Sequence, residues 1–486
     1  MPLLPPEVWA LAFEQAYLSP WSRKATLRSA CLVCKEWARL ATPWLYRHVV
    51  IRRGAPTLPR PDAFYTVCYH RQDLARCVHS LDLGAGLSSA DDFPAWVRDW
   101  TQILSICREL RAVEIHHAGF PAAQPQAEFH KVLVALMGGV GDLSRLQSLA
   151  LDLFPPHHSF SLQSLGGANY DSIFKSLLSL PSLTSLRVGI IDPRQHGDII
   201  KSLAVYAVQV RNTGGVRDLH LDMYYTGTFS ERDTIIANIT GLRISQSSPG
   251  FPGNIWSPRL RELTFQYGLN LVGSTNLPSL PALRSLCIQL SKDIEAHHIR
   301  SLQTTVTSML QGVDLERLSL QVGFAVSSHY PLQLEGKAFI DSLPLTLQVF
   351  HAPKLIVPHE VLRSLLRRLR RLRGLAVSLR SKADLGQLDK NSLVNARALE
   401  CLDLHAWPHG DARKECLEKE TAVKWMQKLP TLRHASFNSH GWVSSDRPDQ
   451  VRARDLLNPW NSGQQYDYAV HTVMPLGSFH AHCTLL

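Results

Sequence analysis

Apolar and polar positions repeat in one phase along most of the chain: an apolar residue, two variable ones, an apolar one, one variable, an apolar one. The phase appears at Val78/Leu81/Leu83, Leu110/Val113/Ile115, Leu146/Leu149/Leu151 and Leu183/Leu186/Val188. It continues at Val216/Leu219/Leu221, Leu260/Leu263/Phe265, Leu283/Leu286/Ile288 and Leu315/Leu318/Leu320. Leu347/Phe350/Ala352, Leu372/Leu375/Val377, Leu399/Leu402/Leu404 and Leu432/Ala435/Phe437 complete twelve copies, spaced 23 to 44 residues apart. The second half of each copy alternates with period two, which predicts a short strand with one buried face.

The residues ahead of these strands carry helical spacing. Val132, Leu133, Leu136 and Val140 fall at i, i+1, i+4 and i+8. Leu362, Leu365, Leu366, Leu369 and Leu372 form an apolar stripe. Leu180-Pro181 and Leu429-Pro430 stop helices before the next strand, since proline does not continue one. The unit is therefore helix, turn, strand. One unit cannot bury its apolar face alone, whereas stacked units can, with parallel strands inside and helices outside. The fold expected over residues 75–440 is an α/β solenoid, with another kind of two-layer α/β domain as the alternative.

The first fifty residues follow a different pattern. Pro5, Pro6 and Glu7 suit a helix start. Trp9, Phe13, Ala16 and Tyr17 then share a face. Ser22 is positioned to cap a second helix carrying Leu27, Cys31 and Cys34, and a third carries Trp37, Leu40, Ala41, Trp44 and Leu45. So many apolar residues in so short a segment call for a partner to cover part of them. Cys31 and Cys34 form a C-x-x-C spacing, but their neighbours Ala30, Leu32 and Val33 are apolar, an environment that raises a thiol pKa. His48 follows Cys34 without the second histidine that a zinc site would need. These cysteines read as structural.

Composition narrows the function further. The chain has 486 residues and a formal charge of +10. Its basic excess is concentrated: eight basic against three acidic residues in 1–53, and eight against none in 361–383. The nine cysteines are scattered and odd in number, the N-terminus lacks the basic and apolar regions of a signal peptide, and no apolar run reaches the ~20 residues of a membrane span. Reduced thiols in the cytoplasm or nucleus are the expectation. Phosphate-loop, dinucleotide-binding, H-E-x-x-H and G-x-S-x-G motifs are all missing, and the histidine pairs 116/117, 157/158 and 297/298 are poor chelates. An enzyme is not expected, nor a metal or other cofactor. Arg363, Arg367, Arg368, Arg370, Arg371 and Arg373 cover the polar side of the leucine stripe, as a solvated helix face or a phosphate-contacting patch.

On strands whose leucines point inward, the intervening residues form the other face. Asp82, Glu114, Arg187, His220, Asp222, Gln266, Gln289, Gln321, His405 and Asn438 are expected to line it as a concave polar surface. Their variety suits recognition of a protein better than one repeated chemical step. Arg52–Asp62 is a proline-rich joint, and after Phe437 the repeat fades into a cap or tail.

The repeat region resembles the leucine-rich-repeat family in a long, irregular, helix-containing form. The N-terminus resembles the F-box, on Leu4-Pro5-Pro6-Glu7-Val8 at its start and Val33-Cys34-Lys35-Glu36-Trp37 with Leu40 at its end. Together they look like a fungal-type F-box substrate receptor. The resemblance implies a non-enzymatic subunit of an SCF-type cullin-RING ubiquitin ligase, docked on the Skp adaptor and holding an unknown target for ubiquitin-dependent degradation. Carried over by motif position, the adaptor-binding candidates are Leu4, Pro5, Val8, Val33, Cys34, Lys35, Trp37 and Leu40. The organisation expected is an F-box at 1–51, a joint with a first strand or helix at 52–74, the solenoid at 75–440 and a cap or tail at 441–486. A membrane or nucleic-acid partner is not expected. A non-degradative scaffold, or a nuclear protein contacting nucleic acid, is the alternative.

Overall fold

The computed structural model describes residues 5–18, 23–52, 61–84, 93–116, 137–152, 171–190, 197–225, 234–235, 238–246, 258–267, 280–290, 299–322, 332–333, 337–380, 388, 393–406, 418–437, 440–444 and 451–454. The chain divides into two compact units, Met1–Arg243 and Ile244–Leu486. The cut falls inside the repeat region, away from the 52–74 joint.

The first unit opens with three helices, α1 (Pro6–Leu18), α2 (Arg23–Cys31) and α3 (Lys35–Tyr46). The start of α1 is where the paired prolines place it: the first turn's donors are spare, so proline costs nothing there, and the Val8 and Trp9 amides bond the Pro5 carbonyl. Strand β1 (His48–Arg52) follows, then α4 (Pro61–His70), α5 (Gln72–Cys77), β2 (Ser80–Gly84), α6 (Phe93–Ile106), β3 (Ala112–His116) and β4 (Ser148–Asp152). Next come α7 (Asp171–Leu178), β5 (Ser185–Ile190), α8 (Gly197–Thr213) and β6 (Asp218–Tyr225), and β7 (Gly241–Gln246) begins at the unit's end. Strands β1 to β6 pair in chain order, each parallel to the last.

The second unit repeats the scheme with β8 (Glu262–Tyr267), β9 (Ser285–Leu290), α9 (Ile299–Leu310), β10 (Arg317–Val322), the short β11 (Leu332–Gln333), α10 (Lys337–Ser342) and β12 (Val349–Ile356). It continues through α11 (His359–Arg368), β13 (Gly374–Leu379), β14 (Cys401–Ala406), α12 (Lys419–Lys428) and β15 (His434–Phe437). Pairing from β8 to β15 is again parallel and sequential, with β11 set beside β12. Two antiparallel strands, β16 (His440–Ser444) and β17 (Val451–Arg454), finish it.

Each of the twelve sequence copies coincides with a strand, and all of their apolar positions are buried, none more than 7 % exposed. Register keeps them in rows: Leu81 faces Val113, Val113 faces Leu149, and Leu149 faces Leu186. In the second unit Leu286 faces Leu318, Leu318 faces Phe350, and Leu375 faces Leu402. A one-residue slip would turn every row outward, so burial fixes the register. The ladder starts just before each strand, as in Arg111 N–H to His79 O at 2.8 Å, Gln147 N–H to Arg111 O at 2.8 Å and Glu400 N–H to Arg373 O at 2.8 Å.

Two expectations are corrected. Helix α11 stops at Arg368, so Leu372 sits in the turn before β13 and not on the helix. Cys34 lies outside the helix: α2 ends at Cys31, and Cys34 in extended backbone caps α3, its sulfur accepting from the Trp37 amide at 3.5 Å. The apolar intervals that placed Cys34 on a helix ran across a two-residue turn. Residues 132–136, Ser22, most of the 52–62 joint and all members of the histidine pairs except His116 lie outside the described residues. Among the described residues no helix is long and apolar enough to cross a membrane, and the cysteines are free thiols.

Candidate functional site

The three N-terminal helices make a small core of Phe13, Leu27, Ala30 and Ala41, with Trp9, Trp37, Leu40 and Trp44 packed on it only part-buried. Trp9 and Trp37 are 4.2 Å apart by ring centroid, and Phe13 meets Trp37 edge-on at 5.6 Å. A cavity of about 530 Å³ remains open among the helices, lined mainly by Trp9, Phe13, Ala30, Val33 and Trp37. Around it Val33 is 61 % exposed and Leu32, in the same turn, 88 %. Val8 and Leu11 on α1 are exposed at 42 % and 60 %. Covering such a side chain is worth about 1.5–3 kcal/mol, so four on one small module leave a large binding potential unused.

Pro5, Cys34 and Lys35 are exposed, whereas Trp37 and Leu40 belong to the helices' own core. Leu4 lies outside the described residues. Leu11 and Leu32 were not singled out by motif matching. Leu11 follows Val8 by three residues, on the same side of α1, and Leu32 precedes the Val-Cys-Lys-x-Trp motif, so the signal was helical spacing in one case and adjacency in the other. The charged pair Glu36–Arg39, at 2.7 Å, stays in solvent on α3, and each partner there favours the other's ionised form.

The sheet face opposite the leucine rows carries the polar candidates. Register sets Asp82 beside Glu114, and Arg187 beside His220, with Ala150 between the two pairs. Glu114, Arg187 and His220 are half-buried. In the second unit Gln266, Gln289 and Gln321 are successive rungs, the last two half-buried. The side chains of Asp222 and Gln266, and all of Asn438, lie outside the described residues. Asp82 and His405 are only 1 % and 3 % exposed, which removes both from any surface that a target could touch.

His405 instead joins a buried network that motif reading did not find. Its Nε2 lies 3.2 Å from Asp403 Oδ2, the Ser436 hydroxyl donates to Asp403 Oδ1 at 2.5 Å, and His434 Nε2 lies 3.2 Å from Ser436 Oγ. Burial raises the Asp403 pKa, but the His405 charge and the bonds from His405 and Ser436 outweigh it and hold the carboxyl well below its usual range. Nearby His351 contacts Ser319 Oγ through Nδ1 at 3.1 Å, and burial pushes its pKa down to about 4. The Ser436 proton points to the carboxylate and not to a histidine, so the serine is not poised as a nucleophile. The network ties β14 to β15. Asp403 and Ser436 occupy the slot between the last two apolar positions of their copies, whereas the sequence reading took the next residue, His405 or Asn438.

Residues 1–52 match the F-box-like family. No curated protein matches the chain. Among solved structures, a protein from Bacteroides fragilis is similar over 57 % of this chain and 73 % of its own, at 15 % identity and a TM-score of 0.27. A thermostable xylanase mutant from Cellvibrio japonicus is similar over 57 % and 85 %, at 9 % identity and a TM-score of 0.19. A putative sugar phosphate isomerase/epimerase from Anabaena variabilis is similar over 61 % and 86 %, at 10 % identity and a TM-score of 0.20. Likenesses this low assign neither fold nor activity.

Proposed function

We propose that this chain is a substrate-recognition subunit of an SCF-type cullin-RING ubiquitin ligase. Its N-terminal helices dock the Skp adaptor, the repeats are of the leucine-rich type, and their polar sheet face holds the target. The observation that carries the reading is the open apolar cavity beside Val33, within the segment that matches the F-box-like family. Val8, Leu11, Leu32 and Val33 supply the docking surface, with Pro5, Cys34 and Lys35 at its rim and Trp9, Trp37 and Leu40 holding its floor. Leu4 remains a candidate by motif position alone. For the target, the contacting candidates are Glu114, Arg187, His220 and Asp222 in the first unit and, taken separately, Gln266, Gln289, Gln321 and Asn438 in the second; buried Asp82 and His405 are left out.

Such a subunit performs no bond chemistry. It raises the effective concentration of target lysines near the charged conjugating enzyme, turning a bimolecular encounter into a local one. The test is binding of the full chain to purified Skp adaptor by calorimetry, wild type against Leu32→Glu/Val33→Glu. Both side chains are already exposed, so folding is spared. Losing the burial of two apolar groups, at about 1.5 kcal/mol or more each, weakens binding at least about a hundredfold. Unchanged affinity would remove the adaptor reading.

A further inference from the structure

The helix layer of the second unit carries a surface that the adaptor and target sites do not use. Between His359 and Arg373 the chain has six arginines, no lysine and a single carboxylate, Glu360. Two of the six serve the fold. Arg368 Nη1 donates to the carbonyls of Ile340 and Leu343 at 2.6 and 2.5 Å, closing the end of α10, and Arg373 pairs with Glu400 at 2.8 Å. Arg367, Arg370 and Arg371 are exposed and Arg363 is half-buried. Among the described residues none of these four guanidiniums has a carboxylate or carbonyl partner, and Arg363 Nε is buried without one.

The helix dipole explains one or two cations near a C-terminus, within its last turn. It does not explain Arg363, set back from the last turn of α11, or Arg370 and Arg371 in the turn beyond it. A solvated face is normally mixed in sign and uses lysine freely. A guanidinium is less strongly hydrated than an ammonium and presents a planar fork that grips a carboxylate through two parallel bonds. A face made of arginine alone is built to meet oxyanions.

From Arg363 to Arg367 the helix rises about 6 Å, and Arg370 and Arg371 follow in the turn after it, a patch that a short extended polypeptide would span. Duplex nucleic acid fits worse. A duplex-binding protein typically engages about six to ten phosphates along rigid rails. Here exposed Glu360 stands at the start of α11, and exposed Asp341 lies on α10, the helix that Arg368 caps. Four guanidiniums fall short of that count of phosphates.

We propose that α11 and the turn after it dock a short acidic segment of another polypeptide, its carboxylates seated on Arg363, Arg367, Arg370 and Arg371. The proposal is independent of the adaptor reading, because it needs no residue of the first unit.

The test is fluorescence anisotropy on the full chain with three labelled probes. They are a Gly/Ser peptide carrying four consecutive glutamates, the same peptide with phosphoserines in their place, and a duplex of about 20 base pairs, in about 0.1 M salt. The glutamate peptide is expected to bind, and Arg367→Glu/Arg370→Glu to weaken it at least about tenfold. Arg211→Glu/Arg217→Glu, an equal charge change at exposed positions of the first unit, should leave the affinity within about twofold. Arg367→Gln/Arg370→Gln removes the same forks without reversing charge and should give an intermediate loss. Equal loss in both glutamate variants would show diffuse attraction to a basic protein and overturn the proposal. Binding of the phosphopeptide but not the glutamate peptide would overturn the carboxylate assignment, and tighter binding of the duplex would overturn the choice of a polypeptide.

Discussion

His351 gives a pH dependence that can be worked in advance. Its ring is 2 % exposed in β12, its Nδ1 meets Ser319 Oγ, and burial lowers its pKa from 6.5 to about 4, against an opposing pull from Asp403. A histidine held neutral in the fold favours folding fully above its unfolded pKa. That contribution drains away as pH falls toward the folded value, because the unfolded chain takes up the proton first. Between pH 7.5 and 5.5, pKa values of 6.5 and about 4 predict a loss of about 1 kcal/mol from this residue alone. The titratable neighbours on that face are Asp403, His405 and His434, and Asp403, with its depressed pKa, stays ionised across this window. The assay is urea denaturation of wild type and His351→Asn at both pH values, following the tryptophan fluorescence of Trp425 within the second unit. Asparagine keeps a donor near Ser319 and does not titrate. The variant is less stable at pH 7.5, because it leaves space beside the sheet, and the gap to wild type narrows by about 1 kcal/mol at pH 5.5. A gap that is the same at both pH values would refute the assignment of a buried neutral imidazole.

Two further variants probe how the fold is held. Gly241→Ala places a methyl group into the His220 ring, so it should destabilise the first unit by about 1–3 kcal/mol, read as a lower urea midpoint, unless that ring rotates away freely. Arg368→Ala strands the Leu343 carbonyl, while the Ile340 carbonyl keeps the Leu343 amide, and should cost about 1–3 kcal/mol; amide exchange in α10 is the local readout.

The repeat was legible because one physical demand, burial of one strand face, recurs in a fixed phase. The strand at Gly241–Gln246 obeys that phase too, at Ile239, Leu242 and Ile244, and fills the widest gap between copies. In the structure Asn238 is 7 % exposed and donates to the Thr234 carbonyl, and Thr240 Oγ1 accepts from the Leu219 amide at 2.9 Å. The polar face was less legible. Alternation says which residues point away from the leucines, but not whether other chain segments then cover them. Asp82 and His405 were therefore taken as surface, and the Asp403–Ser436–His434 contacts, which depend on three-dimensional neighbours, were invisible. In the N-terminal helices the motif identified Val8 and Val33, while the exposure of Leu11 and Leu32 emerged only from the packed helices.

Hydrogen exchange on the full chain, with and without the Skp adaptor, tests the docking claim most directly. The account predicts added protection in the turn from Leu32 to Cys34, the first turn of α3 and the amides around Val8 and Leu11, with strands β8 to β15 unchanged. Protection confined to the sheet, or no change in residues 6–46 at an adaptor concentration that saturates known F-box chains, would contradict it.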